Sequence, residues 1–266
     1  VLEALFERAR REQRAAFIPY VMAGDPDSST TVAVVRALTQ AGADAIELGI
    51  PYGDPLADGP TIAAAAARAL AAKTTIASVF EIARQHRASD GAPIVLFTYF
   101  NPVYQYGIER FADRAADAGA CAVIVPDIAL EEGEGLAASL AYKNLAMPLL
   151  VAPSTKPERA RRIVERSSGF VYVVSRLGVT GAGTQPSTDA LRGQVEMLRG
   201  ITTQPLAVGF GVSSPEHVRA VARHADGFIV GSALVDSYAG SRGEEAAQRV
   251  RAFVEPLIAA ARYAQV

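Results

Sequence analysis

Short, nearly uncharged runs rich in β-branched residues recur along this chain, and each is followed by a longer stretch of helix-forming residues. The runs lie at 17–22, 45–50, 94–99, 122–125, 149–151, 170–174, 206–208 and 227–230. Most are apolar throughout, with no alternation. That pattern marks strands covered on both faces, as parallel strands are when helices pack outside them. Helices are expected between them, at 29–41, 60–72, 76–88, 108–118, 157–166, 215–223 and 244–261. Ser213-Ser214-Pro215-Glu216 is a start signal of the usual kind, an N-cap followed by proline at the first helical position. Eight such repeats in 266 residues, with no Pro/Gly/Ser-rich linker, fit a single (β/α)8 TIM barrel over 1–266 with an extra N-terminal helix. A doubly wound open sheet gives the same alternation. The barrel is favoured because the unusual residues fall just after strand ends, where barrel enzymes carry their active groups.

Composition narrows the function classes. A net charge of −2 without a Lys/Arg block argues against nucleic acid or an anionic membrane face as the main partner. The longest uncharged stretch, 91–108, contains Pro93, Asn101, Pro102 and Gln105, so it reads as a buried strand and a loop and not as a bilayer span. The first residues include Glu3, Glu7, Arg8, Arg10 and Arg11 with no apolar signal core, and Cys121 is the lone cysteine, in an apolar run. A cytoplasmic, reducing location is the expectation, with Cys121 a small core residue.

The strongest chemical signal is Ile46-Glu47-Leu48-Gly49-Ile50-Pro51-Tyr52-Gly53-Asp54-Pro55-Leu56-Ala57-Asp58-Gly59-Pro60-Thr61. Glu47 interrupts an apolar strand. A carboxylate inside a barrel is costly unless paired or neutralised, and burial moves its pKa toward the range useful for proton transfer. Either Glu47 meets a buried basic partner or it serves chemistry. Asp58 follows in a Pro- and Gly-rich loop, as a helix cap or as a second carboxylate over the barrel mouth. Thr180-Gly181, Gly209-Phe210-Gly211 and Gly231-Ser232 follow the last three strands. Each glycine alone is an ordinary turn residue, but together they suit a phosphate cradled by backbone N–H groups. Tyr172 stands within the sixth strand, either turning its hydroxyl inward or packing only. His86, His217 and His224 are expected on polar helical surfaces, with no metal-ligand set around them. No lysine lies in a strand to form a Schiff base.

At these residues the sequence resembles the α subunit of tryptophan synthase, nearly end to end. The matching segments are Phe17-Ile18-Pro19-Tyr20 with Ala23-Gly24-Asp25-Pro26, Glu47 to Thr61, Val125-Pro126-Asp127, Ser175 to Gly181, Gly209-Phe210-Gly211 and Gly231-Ser232. The chain departs from the family pattern at Gly53, Ala129 and Leu177. The resemblance implies a barrel that cleaves indole-3-glycerol phosphate to indole and glyceraldehyde 3-phosphate. It implies that Glu47 handles the proton transfers, that Asp58 hydrogen-bonds the indole N–H, and that Tyr172 supports the substrate. Gly181, Gly211, Gly231 and Ser232 would bind its phosphate. Tyr20, Phe97, Ile124, Phe210 and Ile229 would wall the indole.

The same resemblance implies a β subunit that binds pyridoxal phosphate and takes up indole, in a tetramer of two α and two β chains. This chain itself would need no cofactor or metal. Asp54, Pro55 and Asn101 are the expected contacts to that partner, and the loops at 53–60 and 177–188 the expected lids, Thr180 closing toward Asp58. Two other functions share these features: a stand-alone lyase that releases free indole, and an allosteric barrel that binds phosphate without chemistry.

Overall fold

The computed structural model describes residues 1–175, 188–209 and 211–262. Its centre is an eight-stranded parallel sheet of β1 (Ala16–Met22), β2 (Ile46–Gly49), β3 (Ile94–Phe97), β4 (Ala120–Ile124), β5 (Leu149–Val151), β6 (Val171–Val174), β7 (Leu206–Gly209) and β8 (Gly227–Val230). The strands are ordered β4-β3-β2-β1-β8-β7-β6-β5. Pairing of β1 with β8 makes neighbours of the first and last strands, which no doubly wound sheet does, so the fold is the expected barrel. Closure between β4 and β5 rests on Ala146, whose N–H donates to Cys121 O at 3.0 Å and whose carbonyl accepts from Val123 N at 2.9 Å. Pro148 follows and has no N–H to give, which limits the ladder on this side.

Around the barrel run α1 (Leu2–Arg11), α2 (Ser28–Ala41), α3 (Pro60–Ala71), α4 (Ile76–Ala88), α5 (Phe100–Tyr106), α6 (Ile108–Asp117), α7 (Glu134–Tyr142), α8 (Pro157–Arg166), α9 (Thr188–Arg199), α10 (Pro215–Ala222), α11 (Ser232–Tyr238) and α12 (Gly243–Ala260). Their starts are chemically marked. The Asp27 carboxylate accepts from Thr30 N to cap α2, the Ser214 hydroxyl accepts from His217 N to cap α10, and Thr75 and Ser78 form a capping box on α4. Among the described residues no single helix is long and apolar enough to cross a membrane.

The period-two geometry of each strand divides its side chains between two layers. Phe17, Ile46, Leu48, Leu96, Val173 and Phe228 pack outward against the helices, while Ile18, Tyr20, Val95, Phe97, Ile124, Tyr172 and Ile229 fill the interior. The extra N-terminal helix α1 closes the N-terminal end of the barrel. Its Leu2, Leu5, Phe6 and Ala9 are buried, and Phe6 packs on Phe170 with ring centroids 5.7 Å apart. Glycine at 227 is what admits this plug, since a Cβ there would stand 2.9 Å from the Phe6 ring. Beside it, the buried Asp44 accepts from Phe17 N at 2.9 Å and pairs with Arg14 and Arg8.

Two expectations about histidine are corrected. His86 is buried on α4, only 5% exposed, with its Nε2 3.3 Å from Thr39 Oγ1, because α2 packs over that face. His224 lies in a turn beyond the end of α10 and not on a helix. Cys121 is partly buried, and its thiol donates to Ile94 O at 3.2 Å; burial pushes its pKa up to about 12, which makes it a poor nucleophile.

Candidate active site

Glu47 sits between Ile46 and Leu48, which face outward, so the strand's alternation turns it into the barrel. It is paired in register with Tyr20 on β1 and Val95 on β3, and is 1% exposed. Its Oε1 is buried without a hydrogen-bond partner, and burial alone pushes its pKa up to about 8. Among the described residues no basic side chain neutralises it, so the buried-partner explanation is not supported. At neutral pH Glu47 is a carboxylic acid with a proton to give.

Asp58 reaches the same region from the loop between β2 and α3. Burial raises its pKa, and hydrogen bonding to the Tyr99 hydroxyl opposes that shift. Its charge also bears on Tyr20 more than any other group does, ahead of Tyr99 and Glu47, which places both carboxylates around one aromatic side chain. Asp58 does not cap α3; Gly59 occupies that position. The two carboxyl groups therefore differ in kind. Glu47 is fully enclosed and uncharged, while Asp58 lies at a partly open loop where an anion can be held.

The interior walls around them are apolar. Tyr20 meets Phe97 edge-on, with centroids 5.6 Å apart, and Ile124 and Ile229 are buried in the same cluster. The hydroxyl of Tyr172 points inward, toward the space above β7, since a Cβ on Gly209 would stand 2.3 Å from it. Gly49 makes the same room for Tyr20, at 2.2 Å. Both glycines end strands, and at both an inward side chain is excluded by a tyrosine.

On the other side of the mouth, Gly211 follows β7 with φ +91°, a left-handed conformation that glycine adopts without penalty. Gly231 caps α11 and Ser232 opens it, directly after β8. The expected phosphate residues Gly211, Gly231 and Ser232 thus lie at the C-terminal ends of adjacent strands. Thr180, Gly181 and Phe210, and the loop residues 177–187, lie outside the described residues. Of the expected partner contacts, Asp54 and Asn101 are exposed and Pro55 is half-buried; Leu56 and Tyr104 beside them are 73% and 63% exposed. Among the described residues no cluster of His, Cys, Asp or Glu could hold a metal.

Sequence reasoning passed over three residues of this rim. Tyr99 contacts the Asp58 loop, and Asp25, 2% exposed, receives both forks of Arg68 at 2.7 and 2.8 Å, fastening the loop after β1 to α3. Tyr99 lies two residues past the end of the apolar strand β3, and the rule that barrel chemistry sits after strand ends points to it. The Asp25–Arg68 pair carries no local signal, because its members are 43 residues apart.

The family model described as tryptophan synthase alpha chain matches residues 6–262. The alpha chain of Gloeobacter violaceus is 48% identical over 250 residues, covering 94% of this chain and 90% of that one. The alpha chain of Synechococcus sp. strain CC9902 is 50% identical over 245 residues, covering 91% of each. Among solved structures, tryptophan synthase from Mycobacterium tuberculosis superposes with a TM-score of 0.90 at 38% identity, over 98% of both chains. Tryptophan synthase alpha chain from Legionella pneumophila gives 0.86 at 32% identity, over 97% of this chain and 96% of that one. With a buried acid and a second carboxylate inside a barrel of this pedigree, the chain belongs to the tryptophan synthase alpha chain family.

Proposed function

We infer that Glu47 and Asp58 carry out the α-subunit half-reaction of tryptophan biosynthesis in this chain, the lyase step that cleaves indole-3-glycerol phosphate to indole and glyceraldehyde 3-phosphate. Breaking the bond from indole C3 to the side chain requires an electron sink. Glu47, protonated at neutral pH, supplies one by giving its proton to C3, which turns the ring into an indoleninium. Asp58 accepts a hydrogen bond from the indole N–H and stabilises the positive charge that develops there. The carboxylate left on Glu47 then takes the proton of the hydroxyl on the departing carbon, the C–C bond breaks, and its electrons return to the ring. Glu47 ends protonated again, so the residue is acid and base in turn.

Tyr20, Phe97, Ile124 and Ile229 provide the apolar wall for the indole, with Phe210, and Tyr172 supports the substrate from β6. Gly211, Gly231 and Ser232, with Gly181, bind the phosphate through N–H groups and the start of α11, and Thr180 closes toward Asp58. The chain itself needs neither metal nor cofactor for this chemistry. A β subunit carrying pyridoxal phosphate receives the indole in a tetramer of two α and two β chains. Asp54, Pro55 and Asn101 face that partner, and the setting is the cytoplasm.

The observation that carries this reading is the Glu47 carboxyl, buried, without a charged partner among the described residues, and raised to a pKa of about 8. Its test is indole release from indole-3-glycerol phosphate by the purified chain, alone and with a tryptophan synthase β subunit. Slow release that the partner accelerates supports the coupled subunit. Fast release alone favours a stand-alone lyase. No indole in either case, with the β subunit shown to bind, favours a barrel without chemistry.

A further inference from the structure

Tyr99 stands two residues beyond the end of β3, is 2% exposed, and directs its ring at the loop between β2 and α3. Its hydroxyl oxygen accepts a hydrogen bond from Ala57 N at 3.1 Å. With the lone pair so engaged, the phenolic proton is free to point elsewhere, and the acceptor it meets is the Asp58 carboxylate. One hydroxyl thus grips two successive residues of the loop, the first by its backbone and the second by its functional group. The ring is itself held: Tyr52 packs against it with centroids 5.5 Å apart, and the Tyr52 hydroxyl accepts from Asn101 Nδ2 at 3.1 Å.

We propose that Tyr99 is the positioning residue for Asp58, fixing where its carboxylate lies, with Tyr52 and Asn101 as the brace behind it. The proposal rests on the reading of Asp58 as the group that stabilises charge on the indole ring. A carboxylate in a partly buried loop drifts toward its neutral form unless a donor favours the anion, and a neutral Asp58 has no charge to offer the ring. Tyr99 is placed to be that donor. Burial of the loop disfavours the anion, and the Tyr99 hydroxyl is the group among the described residues that favours it. Because Asn101 is exposed and braces the ring, the geometry also links the outer rim of the barrel to the carboxylate through three side chains.

The test is Tyr99→Phe, which removes the hydroxyl and keeps the ring that packs on Tyr52. The full chain is assayed for indole release across pH, with Asp58→Asn as the reference variant and melting temperature measured throughout. Tyr99→Phe is expected to lower kcat about tenfold, the scale of losing one hydrogen bond to a charged group, with KM changed less than about twofold. The acid limb of the kcat/KM profile, which reports ionisation of Asp58, should move to higher pH. Replacing Tyr99 by 3-fluorotyrosine, a close isostere with a more acidic hydroxyl, should move that limb to lower pH. An acid limb that stays in place in both variants overturns the proposal, whether or not kcat or stability falls. If Asp58→Asn retains full activity, the reading of Asp58 itself fails; if Asp58→Asn is inactive and Tyr99→Phe is normal, only the role of Tyr99 fails.

Discussion

Tyr172 occupies the space that a side chain at position 209 requires, for a Cβ on Gly209 would lie 2.3 Å from its phenolic oxygen and 2.6 Å from its ring. The strands set this up: Tyr172 pairs in register with Ala207 and Val174 with Gly209, so the tyrosine leans over the end of its neighbouring strand. Gly209→Ala is therefore expected to push the ring off its position. The cost should be about 1–3 kcal/mol of stability, the usual range for overpacking, together with a loss of at least about tenfold in kcat/KM if Tyr172 supports the substrate. Thermal melting and steady-state indole release check the two parts separately.

Glu47→Gln removes the proton shuttle and keeps the shape. A loss on the order of 10²-fold or more in kcat with little change in substrate affinity is expected, and near-full activity would refute the role. The same substitution tests a stability cost. The folded state raises the pKa of Glu47 to about 8, so it favours the acid form. Stability from this preference is complete below the ordinary carboxylate range and is lost as pH rises toward 8, because the unfolded chain ionises first. The glutamine variant should be the more stable protein at pH 8, by a few kcal/mol, and should lose that advantage near pH 4. Urea unfolding at the two pH values measures the difference.

Asp44 belongs to the opposite end of the barrel, and its removal should separate folding from chemistry. Hydrogen bonds from Arg14, Phe17 N and Arg8 hold its carboxyl below the usual range despite burial. Asp44→Ala leaves the mostly buried Arg14 without its main partner and should cost about 3 kcal/mol at neutral pH. A depressed carboxyl stabilises the fold above its ordinary pKa and loses that effect as pH falls through the folded value, so the gap to the parent should narrow in acid. In the native state kcat should remain within about twofold, since Asp44 lies far from the mouth in the order of the strand.

Ser232→Asp probes the phosphate side. The substitution puts a negative charge at the start of α11, where the proposed ligand carries its own, and like charges in a partly enclosed site repel. The expected outcome is a rise in KM for indole-3-glycerol phosphate of at least about tenfold with kcat changed less than about twofold. An unchanged inhibition constant for glycerol phosphate would remove Ser232 from the phosphate site.

Much of the fold was legible because secondary structure is written locally. The eight apolar runs mark the eight strands to within a few residues, and the helix expected at 76–88 is α4 as observed. Glu47 was legible for the same reason, as one ionisable residue in a strand that otherwise excludes charge, whose alternation alone decides that it points inward. What the local pattern does not carry is the meeting of distant segments. Closure of the barrel at Ala146, the burial of His86 beneath α2, the Asp25–Arg68 pair, and the contact of Tyr99 with the Asp58 loop each join residues whose separation along the chain leaves no periodic trace. The sequence by itself determined the layers and placed an acid inside them. Only the tertiary structure decided that this acid meets no charged partner among the described residues and so keeps its proton, since desolvation depends on everything that packs around a group and not on its neighbours in the chain.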